Sequence, residues 1–216
     1  QMSVASLAGV FIMSLVSGFG PTVIAGAGIG LRLDQFAVMP AMAIGMSVSS
    51  MVAQNLGAGR AERVREITRL SVLFTIVSAA AMSAAGLLFP HRLAALFTDD
   101  PTVIAATVSY LRIVACSYVT FSLMFTLQGV VRGAGDTLKM LGFSVIGLIG
   151  VRYPLAWALS RIPALGERGI WWGIAASTLV GFGLNAWYYL SGRWRRVRLV
   201  PQGAESSPAI AASPGA

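Results

Sequence analysis

Three ionisable side chains lie inside long apolar runs of this sequence, at Asp34, Arg112 and Arg152. Burying a charged group among apolar residues is costly, so such groups usually face a cavity or a partner and are functional candidates. Asp34 can bind a proton or a cation, and either arginine can bind a carboxylate, including that of Asp34. Structural roles also stay open: Asp34 can cap a helix start or pair with Arg32, and each arginine can extend towards water at a helix end.

Glutamine side chains accompany these charged residues. Gln35 follows Asp34 directly, and Gln128 comes shortly before a glycine-rich turn. An amide can bind a polar substrate or a cation, but it can equally cap helix carbonyls or bond between helices. The candidate substrate- or cation-binding residues are therefore five: Asp34, Gln35, Arg112, Gln128 and Arg152.

Histidine and cysteine each occur once, which excludes much metal and nucleophile chemistry. His91 stands between Pro90 and Arg92 at the end of an apolar run, where a solvated loop histidine is the simpler interpretation. Cys116 has no second cysteine with which to form a disulfide or a thiolate metal cluster. We expect no metal, no cofactor and no catalytic triad, because each would have one possible anchor at most.

The apolar runs around these candidates are too extensive for a soluble domain. The chain is 56% hydrophobic and 11% charged, whereas soluble domains are about 25% charged. A membrane helix needs about 20 mostly apolar residues. The net charge of +8 does not indicate nucleic-acid binding, because the basic residues stand at the ends of apolar runs. The composition predicts an all-α integral membrane protein.

Six transmembrane helices are predicted from the apolar runs and their charged or Pro/Gly-rich boundaries. Pro40 and Pro154 fall within two of these spans, where each removes a backbone donor and can act as a hinge. The spans cover about residues 2–19, 33–56, 69–90, 102–131, 138–160 and 169–191.

Lysine and arginine are distributed unequally between the two sides of this predicted bundle. One side carries ten: Arg60, Arg63, Arg65, Arg69, Arg132, Lys139, Arg193, Arg195, Arg196 and Arg198. The other carries four: Arg32, Arg92, Arg161 and Arg168. Because cytoplasmic loops carry the excess of basic residues, the first side and both ends of the chain are predicted to be cytoplasmic. We expect a multi-pass protein of the cell (inner) membrane.

The two ends of the sequence differ in character. Gln1 opens almost directly into an apolar run without a charged segment before it, so we do not expect this run to be a signal peptide. We expect it to continue a longer chain. Residues 197–216 are poor in large apolar side chains and are predicted to form a disordered cytoplasmic tail.

Two of the predicted cytoplasmic turns share a Gly-Ala-Gly sequence beside an arginine. Glycine tolerates positive φ, so a structural role in tight reversal is expected for four glycines: Gly57, Gly59, Gly133 and Gly135. Asp136 and Arg132 are expected to form a local ion pair at the second turn. A third glycine-rich stretch, 26–30, lacks the preceding strand of a dinucleotide-binding fingerprint and is predicted to join two membrane helices.

Four segments together resemble the MATE (multidrug and toxic compound extrusion) family of transporters. They are similar to the turns after the family's eighth and tenth helices, to a part of its eleventh helix and to the entry of its twelfth. In order they read AQNLGAGR at 53–60, QGVVRGAGDT at 128–137, RYPLA at 152–156 and GIWWG at 169–173. The match runs from about residue 1 to 196.

The resemblance implies a twelve-helix transporter with two six-helix lobes, of which residues 1–196 form the second, helices seven to twelve. It implies secondary active efflux of small cationic or amphipathic compounds by H⁺- or Na⁺-coupled antiport with alternating access. The partners are then the lipid bilayer and the N-terminal six-helix lobe, and not nucleic acid. Two alternatives stay open: an exporter of a lipid-linked or metabolite substrate in the same superfamily, and a non-transporting membrane scaffold.

The acidic residues depart from the pattern of the better-known cation-coupled family members. In those proteins, acidic residues of the seventh or tenth helix contribute to coupling. Here the first span contains no Asp or Glu, and neither does the fourth span after Asp100. The resemblance therefore implies that coupling resides in the first lobe, or that Asp34 substitutes for the missing acids.

Overall fold

The computed structural model describes residues 2–196, and nearly all of them are helical. In chain order the helices are α1 (Met2–Ser17), α2 (Pro21–Gly57), α3 (Ala61–Leu88), α4 (Pro90–Ala95), α5 (Pro101–Val114), α6 (Tyr118–Gly133), α7 (Thr137–Val145), α8 (Arg152–Ser160) and α9 (Glu167–Leu190). A 3₁₀ turn, Ala115–Ser117, joins α5 to α6, and a π-helical turn, Ile146–Val151, joins α7 to α8. The predicted tail at 197–216 lies outside the described residues.

Four of the described helical segments are long and apolar enough to cross a membrane: α2, α3, the α5–α6 pair and the α7–α8 pair. Large apolar side chains of α3 are exposed, such as Phe74 at 68% and Leu88 at 70%. Such a surface is suited to hydrocarbon and not to water. The all-α membrane class is therefore confirmed, while the count of six crossings stays a prediction, since α1 offers only a shorter apolar stretch at Ser6–Ser17.

The start of the second span differs from the sequence prediction. The glycine-rich stretch 26–30 is not a connection, because it forms the second and third turns of α2. A β-carbon added to Gly26 would meet the Ala106 side chain of α5 at 2.7 Å. These glycines therefore let α2 and α5 pack at close range, the use that membrane helices commonly make of small residues.

Two apolar clusters lie at opposite ends of the bundle. One lies near the turns at Gly20 and Gly166, here called the Gly20 end, and its largest members are Tyr110, Leu111 and Trp171. The other lies near the turns at Gly59 and Gly135, here called the Gly59 end, and includes Val52, Val130, Met140 and Tyr188. Buried polar residues from α3, α6 and α9 lie along the bundle between the clusters: Thr75, Thr126, Gln128, Ser177, Thr178 and Asn185.

The Gly-Ala-Gly turns use their glycines in two different ways. Gly59 has φ of 69° and Gly135 has φ of 89°, the left-handed conformation that glycine adopts without strain. The expectation of positive φ is wrong for Gly57 and Gly133, which are the last residues of α2 and α6. Gly133 serves close packing, because a β-carbon there would overlap the carbonyl oxygen of Ser49 in α2.

The two prolines within predicted spans have different local backbones. α2 continues through Pro40 without a change of helix type. Pro154 stands near the start of α8, just after the π-helical turn Ile146–Val151. Proline lacks an N–H and its ring clashes with the carbonyl four residues before it, so the wider π turn relieves that conflict.

Candidate functional site

The most distinctive polar arrangement at the Gly20 end surrounds the half-buried carboxylate of Asp34. It accepts a hydrogen bond from Tyr110 of α5 and another, at 2.5 Å, from Tyr118 of α6. Asp34 lies well inside α2, so it does not cap a helix start. One carboxylate with two phenol donors can hold a negative charge among apolar neighbours, and it can also receive a proton or a small cation.

Contacts from α2 and α9 fix the ring of Tyr110, on α5, beside Asp34. Gly30 lies one turn before Asp34, and a β-carbon at Gly30 would overlap the Tyr110 ring. That ring packs edge-on against Trp171 of α9, with the centroids 4.8 Å apart. Trp171 is 1% exposed, and its indole N–H has no hydrogen-bond partner among residues 2–196. The site is therefore rigid on the α5 and α9 sides and still has an unused donor nearby.

Arg152 lies close enough to this site to interact electrostatically with Asp34 and Tyr110. It does not form a direct ion pair with Asp34, because the two tyrosines occupy the carboxylate. Instead the Arg152 Nε donates to the Ser177 hydroxyl of α9 at 3.0 Å. The structure thus brings two of the five candidates together, Asp34 and Arg152, at a distance longer than a salt bridge.

The other three candidates lie elsewhere. Gln35 is exposed on α2 next to Asp34, and Arg112 is exposed on α5 although Tyr110 two residues earlier is buried. Gln128 is 5% exposed and lines a separate small cavity, which Arg152 also lines. Arg152 therefore connects the Asp34 site to the cavity, whereas Gln35 and Arg112 belong to neither.

Sequence reasoning did not identify the tyrosines that hold Asp34. Tyr110 and Tyr118 are eight residues apart in one apolar run, a spacing that places two side chains on one face of a helix. A phenol has both an apolar ring and a polar tip, so a pair on one buried face indicates a polar partner opposite. That signal was present in the sequence.

A second carboxylate cluster lies at the Gly59 end, in the turn between α6 and α7. Asp136 accepts hydrogen bonds from Lys139, at 2.8 Å, and from Tyr188 of α9, and Lys139 also donates to Tyr188 at 2.8 Å. Burial raises the pKa of Asp136, but the hydrogen bonds from Lys139 and Tyr188 outweigh this effect and hold the pKa below its ordinary value. The cluster fastens the α6–α7 turn to the end of α9.

The predicted ion pair between Arg132 and Asp136 is wrong. The guanidinium of Arg132 lies beside Gly45 of α2, where a β-carbon on the glycine would be 3.6 Å from Nη2. Side chains on a helix lean towards its N-terminus, so Arg132 reaches back along α6 and away from the turn that follows it.

The match to known proteins covers most of the described helices. The family model MatE matches residues 1–158. The probable multidrug resistance protein YpnP of Bacillus subtilis (strain 168) is 36% identical over 199 residues, covering 92% of this chain and 44% of that protein. The FAD transporter of Shewanella oneidensis is 27% identical over 187 residues, covering 87% of this chain and 40% of that protein.

Solved structures share the fold. The crystal structure of the Vibrio cholerae MATE transporter VcmN in the bent form matches with a TM-score of 0.80 at 22% identity, covering 88% of this chain and 43% of that one. In each of these comparisons the chain spans less than half the length of its relative.

Proposed function

This chain belongs to the MatE family of membrane transporters, and we propose that it forms one lobe of a secondary transporter that exports toxic compounds. The naming of YpnP as a probable multidrug resistance protein supports this cargo. The other lobe is then supplied by a second six-helix bundle, with substrate passing between the lobes by alternating access. The transporter lies in the inner membrane, with the Gly59 end at the cytoplasm, in keeping with its excess of basic residues.

Asp34 is the observation that carries the proposal, because hydrogen bonds hold this carboxylate of α2 against the neighbouring α5–α6 span. When ionised, it accepts from both Tyr110 and Tyr118. When a proton arrives, the new O–H needs an acceptor, so at least one phenol has to turn. When Na⁺ arrives, a carboxylate oxygen has to leave a phenol to bind it. Either H⁺ or Na⁺ therefore changes the contact of α2 with α5 and α6, which is what ion coupling requires.

The substrate surface we propose is the exposed face of α2 that carries Met39 and Met46, which lie two helical turns apart. Met39 is 62% exposed and Met46 is 65% exposed. Unbranched thioether side chains adapt to many apolar shapes. This face is suited to small cationic or amphipathic compounds whose shapes differ.

The test is gradient-driven efflux of a fluorescent cation by the whole protein, in cells that lack related pumps. We expect Asp34→Asn to abolish efflux driven by an imposed H⁺ or Na⁺ gradient, whereas Asp99→Asn, at an exposed loop position, leaves it unchanged. Tyr118→Phe should raise the ion concentration needed for half-maximal efflux. Its matched control is Tyr153→Phe, whose ring packs on Phe11 away from Asp34. Wild-type efflux in Asp34→Asn would contradict a coupling role.

A second cargo class is favoured by one relative, the FAD transporter of Shewanella oneidensis. A flavin dinucleotide is anionic, and Arg112 is exposed on α5, where a phosphate can reach it. If this alternative holds, vesicles containing the protein accumulate or release flavin nucleotides, Arg112→Gln reduces that flux, and fluorescent cations do not compete. Competition by cations would favour the toxic-compound cargo.

A further inference from the structure

A small cavity with several polar side chains in its lining lies between α6, the π-helical turn and α9. Its volume is about 30 Å³, and its polar lining includes Gln128, Arg152, Ser177, Thr178 and Asn185. The cavity lies beside the turn Ile146–Val151, through Gly147 and Leu148. Most buried polar groups in a protein are paired, so each unpaired group in such a place indicates something that pairs with it.

Asn185 supplies the unpaired group. It is 2% exposed, and its amide Nδ2 donates to the carbonyl oxygen of Gly181 at 2.7 Å. Because a carbonyl oxygen can only accept, this bond fixes which end of the amide is nitrogen. The Oδ1 atom is then a buried acceptor without a hydrogen-bond partner in the part of the chain that the structure describes. A ligand at this atom has to donate a hydrogen or carry positive charge.

The size and charge of the cavity decide whether the ligand is a neutral hydrogen-bond donor or a cation. A volume of about 30 Å³ suits a single water, for which roughly 10–15 Å³ of such space is sufficient. A cation is disfavoured because the guanidinium of Arg152 lines the same cavity. The hydroxyls of Ser177 and Thr178 both donate to the carbonyl of Ile174, and Ser177 also accepts from Arg152, so Thr178 offers its oxygen as an acceptor. The lining thus combines acceptors on Asn185 and Thr178 with the donor groups of Arg152, and one water can both donate and accept.

We propose that this cavity is a built water site, in which one ordered water donates to Asn185 Oδ1 and bonds to the polar groups around Arg152. The water extends the polar contacts of Arg152 along α9. Asp34 interacts electrostatically with Arg152, and Arg152 bonds to Ser177. The water carries these contacts from the Arg152 side of the cavity towards Asn185, which lies further along the same helix.

This inference deepens the proposed function, since the water enlarges the polar surroundings of Arg152, which interacts with Asp34. Its test does not use transport. In an experimental structure of the whole protein that resolves internal water, we expect a density peak at about 2.5–3.0 Å from Asn185 Oδ1, the range of an O–H···O bond. Asn185→Leu removes the acceptor and should remove the peak. Gly181→Ala narrows the cavity, because its β-carbon would be 3.1 Å from the sulfur of Met124, and should also displace the water.

The matched control is Gly183→Ala on the same helix. A β-carbon there meets nothing within 4 Å, so the peak should persist. No peak in the wild type, while other buried waters are resolved, would overturn the proposal. So would a peak surrounded by oxygen atoms at distances well below a hydrogen bond, which would identify a cation. If the peak is found and transport is absent, the water site stands and the proposed function fails, so the two failures are distinguishable.

Discussion

Asp136 shows what a single carboxylate contributes to this lobe. Its side chain, 9% exposed, is bonded to Lys139 and Tyr188, and these bonds hold its pKa below the ordinary value. A carboxyl whose pKa is lower in the folded state stabilises that state fully above its unfolded pKa of about 3.9. This contribution is lost as the pH falls through the lower, folded value. The attachment of the α6–α7 turn to α9 should therefore weaken below about pH 4.

Thermal unfolding of the detergent-solubilised protein between pH 7 and pH 3 measures this loss. Asp136→Asn should lower the free energy of unfolding by about 1 kcal/mol at pH 7, and it should remove part of the loss on acidification. Asp99→Asn, exposed and distant, is the control and should keep the wild-type pH dependence. Equal pH dependence of Asp136→Asn and wild type would show that Asp136 does not set it.

At the scale of single residues, the sequence indicated charges better than it indicated their partners. Asp34 and Arg152 stood out because ionisable groups are rare in apolar runs, and the structure places both, half-buried, near each other. Their actual partners, Tyr110, Tyr118 and Ser177, are ordinary residues of membrane helices. The spacing of Tyr110 and Tyr118 indicates a polar partner, but it does not identify Asp34, because that depends on which helix faces cross in space.

Contacts between elements rest on small residues at the crossing of α2 with α5 and α6. Gly30→Ala would push a β-carbon into the Tyr110 ring. Gly28 points to roughly the opposite side of α2, and a β-carbon there would meet nothing within 4 Å. We expect Gly30→Ala to lower the free energy of unfolding by about 1–3 kcal/mol and to impair ion-driven efflux by moving Tyr110. Gly28→Ala should be neutral or stabilise the helix by up to about 1 kcal/mol.

Thermal stability and efflux of the two variants, measured side by side, test this crossing. If both alanines behave alike, the close approach of α2 to α5 is not what positions Tyr110. The close packing of α2 also explains why the stretch 26–30 is helical and not the predicted connection. Glycine usually marks a break in a soluble helix, but in a membrane bundle Gly26 and Gly30 extend the helix and bring a neighbour close.

The architecture of the whole molecule followed from hydrophobicity because a membrane imposes the length and polarity of each helix. The positions of the charged loop residues predict that successive turns lie on opposite sides of the membrane. The structure places Gly59 and Gly135 together near one apolar cluster, and the helix α4 with its flanking residues belongs to the other end. Sidedness can therefore be tested with single cysteines placed at the two ends.

In a Cys116→Ser background, three single replacements suffice: Ala58→Cys, Thr137→Cys and Leu96→Cys. All three positions are exposed, and Leu96 is 76% exposed. In intact cells an impermeant maleimide should label Leu96→Cys, and it should label the other two only after the membrane is permeabilised. Labelling of Ala58→Cys and Thr137→Cys from opposite sides would contradict the prediction that the turns after α2 and α6 lie on the same side of the membrane. Labelling of both from outside would mean that the two turns share one side but that the lobe has the inverse orientation. The arginine excess would then not set its orientation.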